Sequence, residues 1–232
     1  MLSTAVAGSS RRRWSGKSTL VKTLVGVIRQ IFQENSTALV AAPTGSASLN
    51  GGGVTMHRLF GLPIGNSKGN LGADKEQRLK STFRNVVMQV IDERSMISSE
   101  DMAMINEHTK KVVHQGTHPN DDFGGIPIVL LVGDDYQLPP IMPGVASAFS
   151  VASTKSKQKK GKDIAVTNPS NYGKRQNGGE LFKRVGKKYI KLQTSKRVLK
   201  DQAFLTTCLR GVRGDSKNGL SESNIQKLMR YH

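Results

Sequence analysis

Gly16-Lys17-Ser18-Thr19-Leu20-Val21-Lys22-Thr23-Leu24-Val25-Gly26-Val27-Ile28-Arg29-Gln30-Ile31-Phe32, with Ala38-Leu39-Val40-Ala41-Ala42-Pro43 shortly after it, is the stretch on which the fold turns. Leu20, Leu24, Val27, Ile28 and Ile31 recur at helical spacing and predict an amphipathic helix from Ser18 to Phe32. Ala38 to Ala42 is short and continuously apolar, follows the polar Asn35-Ser36 and stops at Pro43, the pattern of a buried strand. The helix opens on Gly-Lys-Ser-Thr, which is half of a phosphate-binding loop. Such a loop needs inward-pointing backbone N–H groups at a helix start, Gly where a side chain would block them, a Lys for the β/γ-phosphates and a hydroxyl for Mg²⁺.

The other half of the loop is interrupted. The position five before Gly16 is Arg11, and Arg11, Arg12, Arg13 and Trp14 fill the place of a tight turn. With the six residues Ser9 to Trp14 set aside, the flanks join as Ala5-Val6-Ala7-Gly8-Ser15-Gly16-Lys17-Ser18-Thr19. That string is a phosphate loop lacking only its first Gly, so Ser9 to Trp14 read as an insertion within it. Gly8, Ser15, Gly16, Lys17, Ser18 and Thr19 are then the expected ATP-binding residues.

Further along, Gly51 to Gly53 read as a glycine-rich loop, and residues 74–85 are charged with few apolar positions. Val86 to Ile91 form a second apolar run that stops at Asp92-Glu93. Ser98 with Asp101 has capping-box spacing, and Met102, Ile105 and Val112 suit a helix to about Gln115. Ile126 to Val132 predict a third strand, ending at Gly133-Asp134. Short strands alternating with helices imply an α/β domain with a mainly parallel sheet flanked by helices. We expect residues 1–150 to form the core and residues 151–179, rich in Lys, Ser, Gly and Asn, to be a basic, disordered insert. Residues 180–232 would complete the domain, with a strand at Tyr189 to Leu192 and helices near 201–212 and 223–229.

Two strand ends carry candidate chemistry. A carboxylate there can hold Mg²⁺ while an adjacent Glu activates the attacking water, which fits Asp92 and Glu93; a solvated acidic pair is the plainer alternative. Gly133-Asp134-Asp135-Tyr136-Gln137-Leu138-Pro139-Pro140 also follows a strand, at the end where open α/β sheets bind ligands. The Gln137 amide both donates and accepts and suits a γ-phosphate sensor; otherwise the block is a proline-stiffened turn.

Ala42-Pro43-Thr44-Gly45-Ser46-Ala47-Ser48, Thr55-Met56-His57-Arg58-Leu59-Phe60-Gly61-Leu62-Pro63, Ile91-Asp92-Glu93-Arg94-Ser95-Met96 and Gly133 to Pro140 resemble, in order and spacing, successive motifs of the PIF-type, RecD-like DNA helicases of superfamily 1. The resemblance runs from about Val6 to Gly214. It implies a RecA-like P-loop NTPase domain that takes ATP and Mg²⁺, and 5'-3' unwinding by the complete enzyme. By it, Lys17 and Ser18 hold phosphate and Mg²⁺, Asp92 fixes the metal, Glu93 is the base and Gln137 the sensor. Pro43, Thr44, Gly45 and His57 fall in segments that contact single-stranded DNA. Leu192-Gln193-Thr194-Ser195-Lys196-Arg197 resembles the segment whose Arg reaches the γ-phosphate, which makes Arg197 the candidate. Where the family has Gln after that Arg, this chain has Val198, and the glutamine segment expected before the loop is missing. The second RecA-like domain is expected to be absent, so this chain alone should not unwind DNA.

A formal charge of +18, from 35 Lys and Arg against 17 Asp and Glu, points to a polyanionic partner. Single-stranded DNA bound through its backbone is the natural one. No run of eighteen apolar residues argues for membrane insertion. Cys208 is the single cysteine and fits a small buried hydrophobe. The Lys155 to Lys162 cluster suits a nuclear-import signal or a DNA-binding insert, so the nucleus is the expected location. The Arg- and Ser-rich stretch before Glu34 overlaps in composition with mitochondrial transit peptides, so the mitochondrion is the second. A monomer is expected, and the family likeness implies repair, recombination and telomere roles. The alternative is a degenerate relative that binds nucleic acid without turning over ATP.

Overall fold

A computed structural model of the chain describes residues 2–8, 16–63, 71–113, 121–134, 140, 148, 170–186 and 188–192, with residues 2–8, 170–176, 189 and 191 described through their backbone alone. Six strands, β1 (Leu2–Gly8), β2 (Ala38–Ala42), β3 (Val54–Thr55), β4 (Met88–Ile91), β5 (Ile128–Gly133) and β6 (Tyr189–Leu192), lie in the order β3-β2-β4-β5-β1-β6. Every ladder between them is parallel. Helices α1 (Lys17–Phe32), α2 (Gly45–Gly51), α3 (Met56–Phe60), α4 (Ala73–Phe83), α5 (Ser99–Val112) and α6 (Ser170–Val185) connect or follow them.

Strand alternation divides the core into two faces. Ala38 and Val40 of β2, Met88 and Val90 of β4, and Leu130 and Val132 of β5 pack with Val21 and Val25 of α1. Ala41, Ile91, Val129 and Leu131, one residue out of phase, face the other way and pack with Leu79, Ile105 and Leu181 of α4, α5 and α6. A parallel sheet covered on both sides must be apolar on both, which is why its strands read as continuous apolar runs.

β2 and β6 have the predicted bounds, and α1 begins one residue earlier than the periodicity suggests. Ser98 caps α5 as its spacing predicts, its Oγ accepting from Asp101 N at 2.9 Å, and the helix ends at Val112. Three readings need correction, and one segment to which the sequence reading gave no element turns out to be a helix. The glycine-rich segment is the end of α2: Gly51 is helical, Gly52 takes the left-handed cap (φ 69°), and a Cβ on Gly53 would lie 2.1 Å from the Val40 carbonyl oxygen. The charged segment after residue 73 is helix α4, anchored by buried Leu79 and by Phe83, whose ring centroid is 5.9 Å from that of Phe60. The expected insert ends sooner than residue 179, because α6 already begins at Ser170. Its second half is held against α5 by Gly178, where a Cβ would lie 1.8 Å from the Ser99 carbonyl oxygen, and by buried Leu181, Phe182 and Val185. Finally, Ala5 to Gly8, read as the opening of the phosphate loop, are the last residues of β1, a strand that periodicity did not announce. Residues 151–169 and the two helices expected beyond 200 lie outside the described residues.

Candidate nucleotide-binding site

The C-terminal ends of β1, β4 and β5 lie side by side, since Ala7 pairs with Gly133 and Ile91 with Leu131. Three chain segments leave the sheet there. From β1 the chain passes to α1, whose N-cap Gly16 sits in the left-handed region (φ 79°). Among the described residues no side chain caps this helix, and no acidic residue occupies its first turn. Its first N–H groups and the positive end of its dipole therefore suit an anion. Lys17 starts the helix, and its Nζ is buried with no hydrogen-bond partner among the described residues. Ser18 and Thr19 follow on the exposed side.

From β4 the chain enters Asp92-Glu93. The Asp92 N–H still donates to Ala41 O of β2 at 2.8 Å, so its backbone is fixed by the sheet. Its Oδ1 accepts from Glu93 N at 2.8 Å. Burial pushes the Asp92 carboxyl above its ordinary value, against the opposing effects of that hydrogen bond and of the Lys17 charge. Glu93 is raised as well, first by burial and then by the charge of Asp92; Lys17 opposes and Asp134 adds to the rise. Glu93 holds a left-handed backbone (φ 53°, ψ 46°), uncommon for a residue with a Cβ. From β5 comes Asp134, fully buried directly after Gly133.

The DNA-contact candidates gather on the same edge. Ala42 of β2 pairs with Thr55 of β3, so Pro43-Thr44-Gly45 and His57 emerge side by side next to β4. Thr44 caps α2, its Oγ1 accepting from Ala47 N at 3.2 Å, and Gly45 is exposed. Thr55 likewise caps α3, which carries the half-buried His57. Thus the charge of Lys17 reaches both Asp92 and Glu93 at the strand tips, and Pro43, Thr44, Gly45 and His57 follow the ends of the next two strands along the same edge of the sheet. Ser15, Gln137 and Arg197 lie outside the described residues. Sequence reading gave no role to the buried Arg94 or to Asp134; the close approach of Gly133 to Arg94 is a tertiary contact that no local pattern announces. Among the described residues no group of three or more His, Cys, Asp or Glu is placed to hold a metal ion, and no helix is long and apolar enough to cross a membrane.

The parallel sheet, the flanking helices, the lysine at a helix start and the carboxylates at strand tips define a RecA-like α/β domain of the phosphate-loop class. The chain belongs to the PIF1-like helicase family, which its residues 9–170 match. It is 33% identical over 135 residues to the ATP-dependent DNA helicase PIF1 of Candida albicans, an overlap of 57% of this chain and 14% of that protein. It is also 35% identical over 130 residues to the Pif1 helicase of Bdellovibrio bacteriovorus, covering 55% of this chain and 27% of the relative. Among solved structures, the Bacteroides Pif1 helicase in complex with ADP-AlF3 and ssDNA superposes with a TM-score of 0.62 at 25% identity, over 96% of this chain and 44% of that one. The Candida albicans Pif1 crystal structure shares the fold with a TM-score of 0.68 at 24% identity, over 99% of this chain and 43% of the other. The chain thus spans less than half the length of each of these relatives.

Proposed function

We propose that this chain is the ATP-hydrolysing motor domain of a PIF1-like DNA helicase, with single-stranded DNA as the ligand that stimulates it. The carrying observation is the buried Nζ of Lys17, which has no hydrogen-bond partner among the described residues and whose charge acts on Asp92 and Glu93. A cation buried without a hydrogen-bond partner is costly. A phosphate lying between it and the bare N-terminus of α1 relieves that cost. Asp92 and the Ser18 hydroxyl fit Mg²⁺, which in phosphate sites is held by one or two carboxylates with substrate oxygens and water. Bound there, ATP supplies the anhydride to be cleaved, and Mg²⁺ neutralises charge on its oxygens.

Each side chain then has a task. Lys17 holds the β/γ-phosphates, with the backbone of Gly8, Ser15, Gly16 and Thr19 around them. Glu93 takes the proton of the attacking water, and the burial that raises its pKa makes it a better base. Gln137 senses the γ-phosphate, and Arg197 offers it a second cation. Pro43, Thr44, Gly45 and His57 bind single-stranded DNA, a ligand that the Bacteroides relative holds in its complex, and the +18 charge adds sequence-independent affinity. In the complete enzyme this activity drives 5'-3' unwinding, in the service of repair, recombination and telomere maintenance. A monomer working in the nucleus, with the mitochondrion as second location, fits the same reading.

The test is DNA-stimulated ATP hydrolysis by the full chain and by a version lacking Ser9 to Trp14, each with and without Glu93→Gln. We expect turnover to be higher in the shortened version and to fall at least about a hundredfold with Glu93→Gln. Turnover indifferent to Glu93→Gln would remove Glu93 from the role of base, and DNA binding with no turnover in any version would leave only the nucleic-acid-binding alternative.

A further inference from the structure

We propose that Arg94 is a positioning residue: wedged between Gly133 at the end of β5 and Phe182 of α6, it keeps the backbone of Glu93 left-handed and so keeps that carboxylate in the nucleotide crevice. The inference rests on the reading of Glu93 as the base.

Three observations meet at this residue. Glu93, immediately before it, holds φ 53° and ψ 46°. A residue with a Cβ stays in that region only where its surroundings over-determine it. The tight turn that follows supplies part of the constraint, with Met96 N donating to Glu93 O at 3.0 Å and Ile97 N to Arg94 O at 3.2 Å. Arg94 supplies the rest. Its backbone is pressed so closely on β5 that a Cβ on Gly133 would lie 2.7 Å from Arg94 N and 2.8 Å from Arg94 Cγ. The turn therefore cannot shift toward β5.

On its other side the guanidinium stands 5.5 Å from the centroid of the Phe182 ring. Arg94 and Phe182 are each only 5% exposed. A buried guanidinium over an aromatic face is held by cation–π attraction and planar stacking, which a lysine does not reproduce. Burying a charge is an expensive way to fill space when a Leu or Met would serve. Its position matters more than its volume. If Arg94 let go of Phe182, the turn could relax and Glu93 could adopt an ordinary backbone, swinging its carboxylate away from Lys17 and Asp92.

A residue that only packed α6 onto the core would lower stability and leave the properties of the folded fraction alone. Positioning predicts something else. Arg94→Lys and Phe182→Leu should each lower kcat by about tenfold to a hundredfold, the scale of a misplaced catalytic group, with KM for ATP and affinity for ADP within about twofold of the parent. Phe182→Trp, which keeps an aromatic face, should retain most of kcat. The parent should bind ADP with aluminium fluoride and Mg²⁺ more tightly than ADP alone, and Arg94→Lys should lose that preference. The measurements use the full chain and the version lacking Ser9 to Trp14. Variants that lose ADP affinity and thermal stability in step with kcat, or that keep full kcat, overturn the proposal. A parent with neither turnover nor tighter aluminium-fluoride binding sinks the ATPase reading itself, and the role of Arg94 with it.

Discussion

At the residue scale, the crevice is built against its own stability. Burial raises the carboxyls of both Asp92 and Glu93, so the folded protein holds those protons more tightly than the unfolded chain does. Between the ordinary carboxylate pKa, about 4, and the raised value, the folded state binds more protons, and stability falls as pH rises through that window. Above it the loss is complete. Glu93→Gln removes the penalty, so without nucleotide or Mg²⁺ it should melt at a higher temperature than the parent near neutral pH, while ATP turnover is lost. The gain should vanish once the pH drops below the ordinary carboxylate value. Thermal melts across that range check this; a Gln variant less stable than the parent at neutral pH would mean that the carboxylate is held charged by Lys17 after all. The places of Lys17, Asp92 and Glu93 in the fold were legible in the sequence because a lysine at a helix start and acids at a strand tip are local patterns. The clasp of Gly133 on Arg94 was not, since it depends on a left-handed Glu93 that no glycine advertises.

At the scale of elements, legibility followed how local the cause of each element is. β2 and β6 announce themselves by apolar runs with polar ends. α4 and α6 do not: each is held by a few contacts to distant segments, Leu79 and Phe83 for the first and Gly178, Leu181, Phe182 and Val185 for the second. Two glycines inside helices make the difference measurable. Gly178→Ala would drive a Cβ to 1.8 Å from the Ser99 carbonyl oxygen, forcing α6 off α5, and should destabilise by about 1–3 kcal/mol, the usual cost of overpacking. Gly26 is exposed in α1 with nothing within 4 Å of its would-be Cβ. Gly26→Ala should therefore stabilise by roughly 0.5–1 kcal/mol through helix propensity alone. Urea unfolding of both variants reads the two signs directly, and equal effects would mean that α6 does not sit where Gly178 places it.

For the molecule as a whole, charge decides what surrounds it. With a formal charge of +18, single-stranded DNA should be bound with affinity falling at least about tenfold between roughly 50 and 200 mM salt, and with little dependence on sequence. Fluorescence anisotropy with oligonucleotides of different composition measures both, and salt-insensitive binding would point away from backbone contacts. The parallel sheet also fixes a timetable. Leu2 of β1 is paired with Ile128 of β5, and Ala5 with Tyr189 of β6, so during translation β1 emerges from the ribosome long before either neighbour has been made. Non-local pairing of this kind is slow and leaves apolar segments waiting. A nascent chain halted after Glu93 has already synthesised its lysine and both acids, yet it has no β5 to bring β1 and β4 together, so nucleotide binding should begin only once synthesis has passed Gly133.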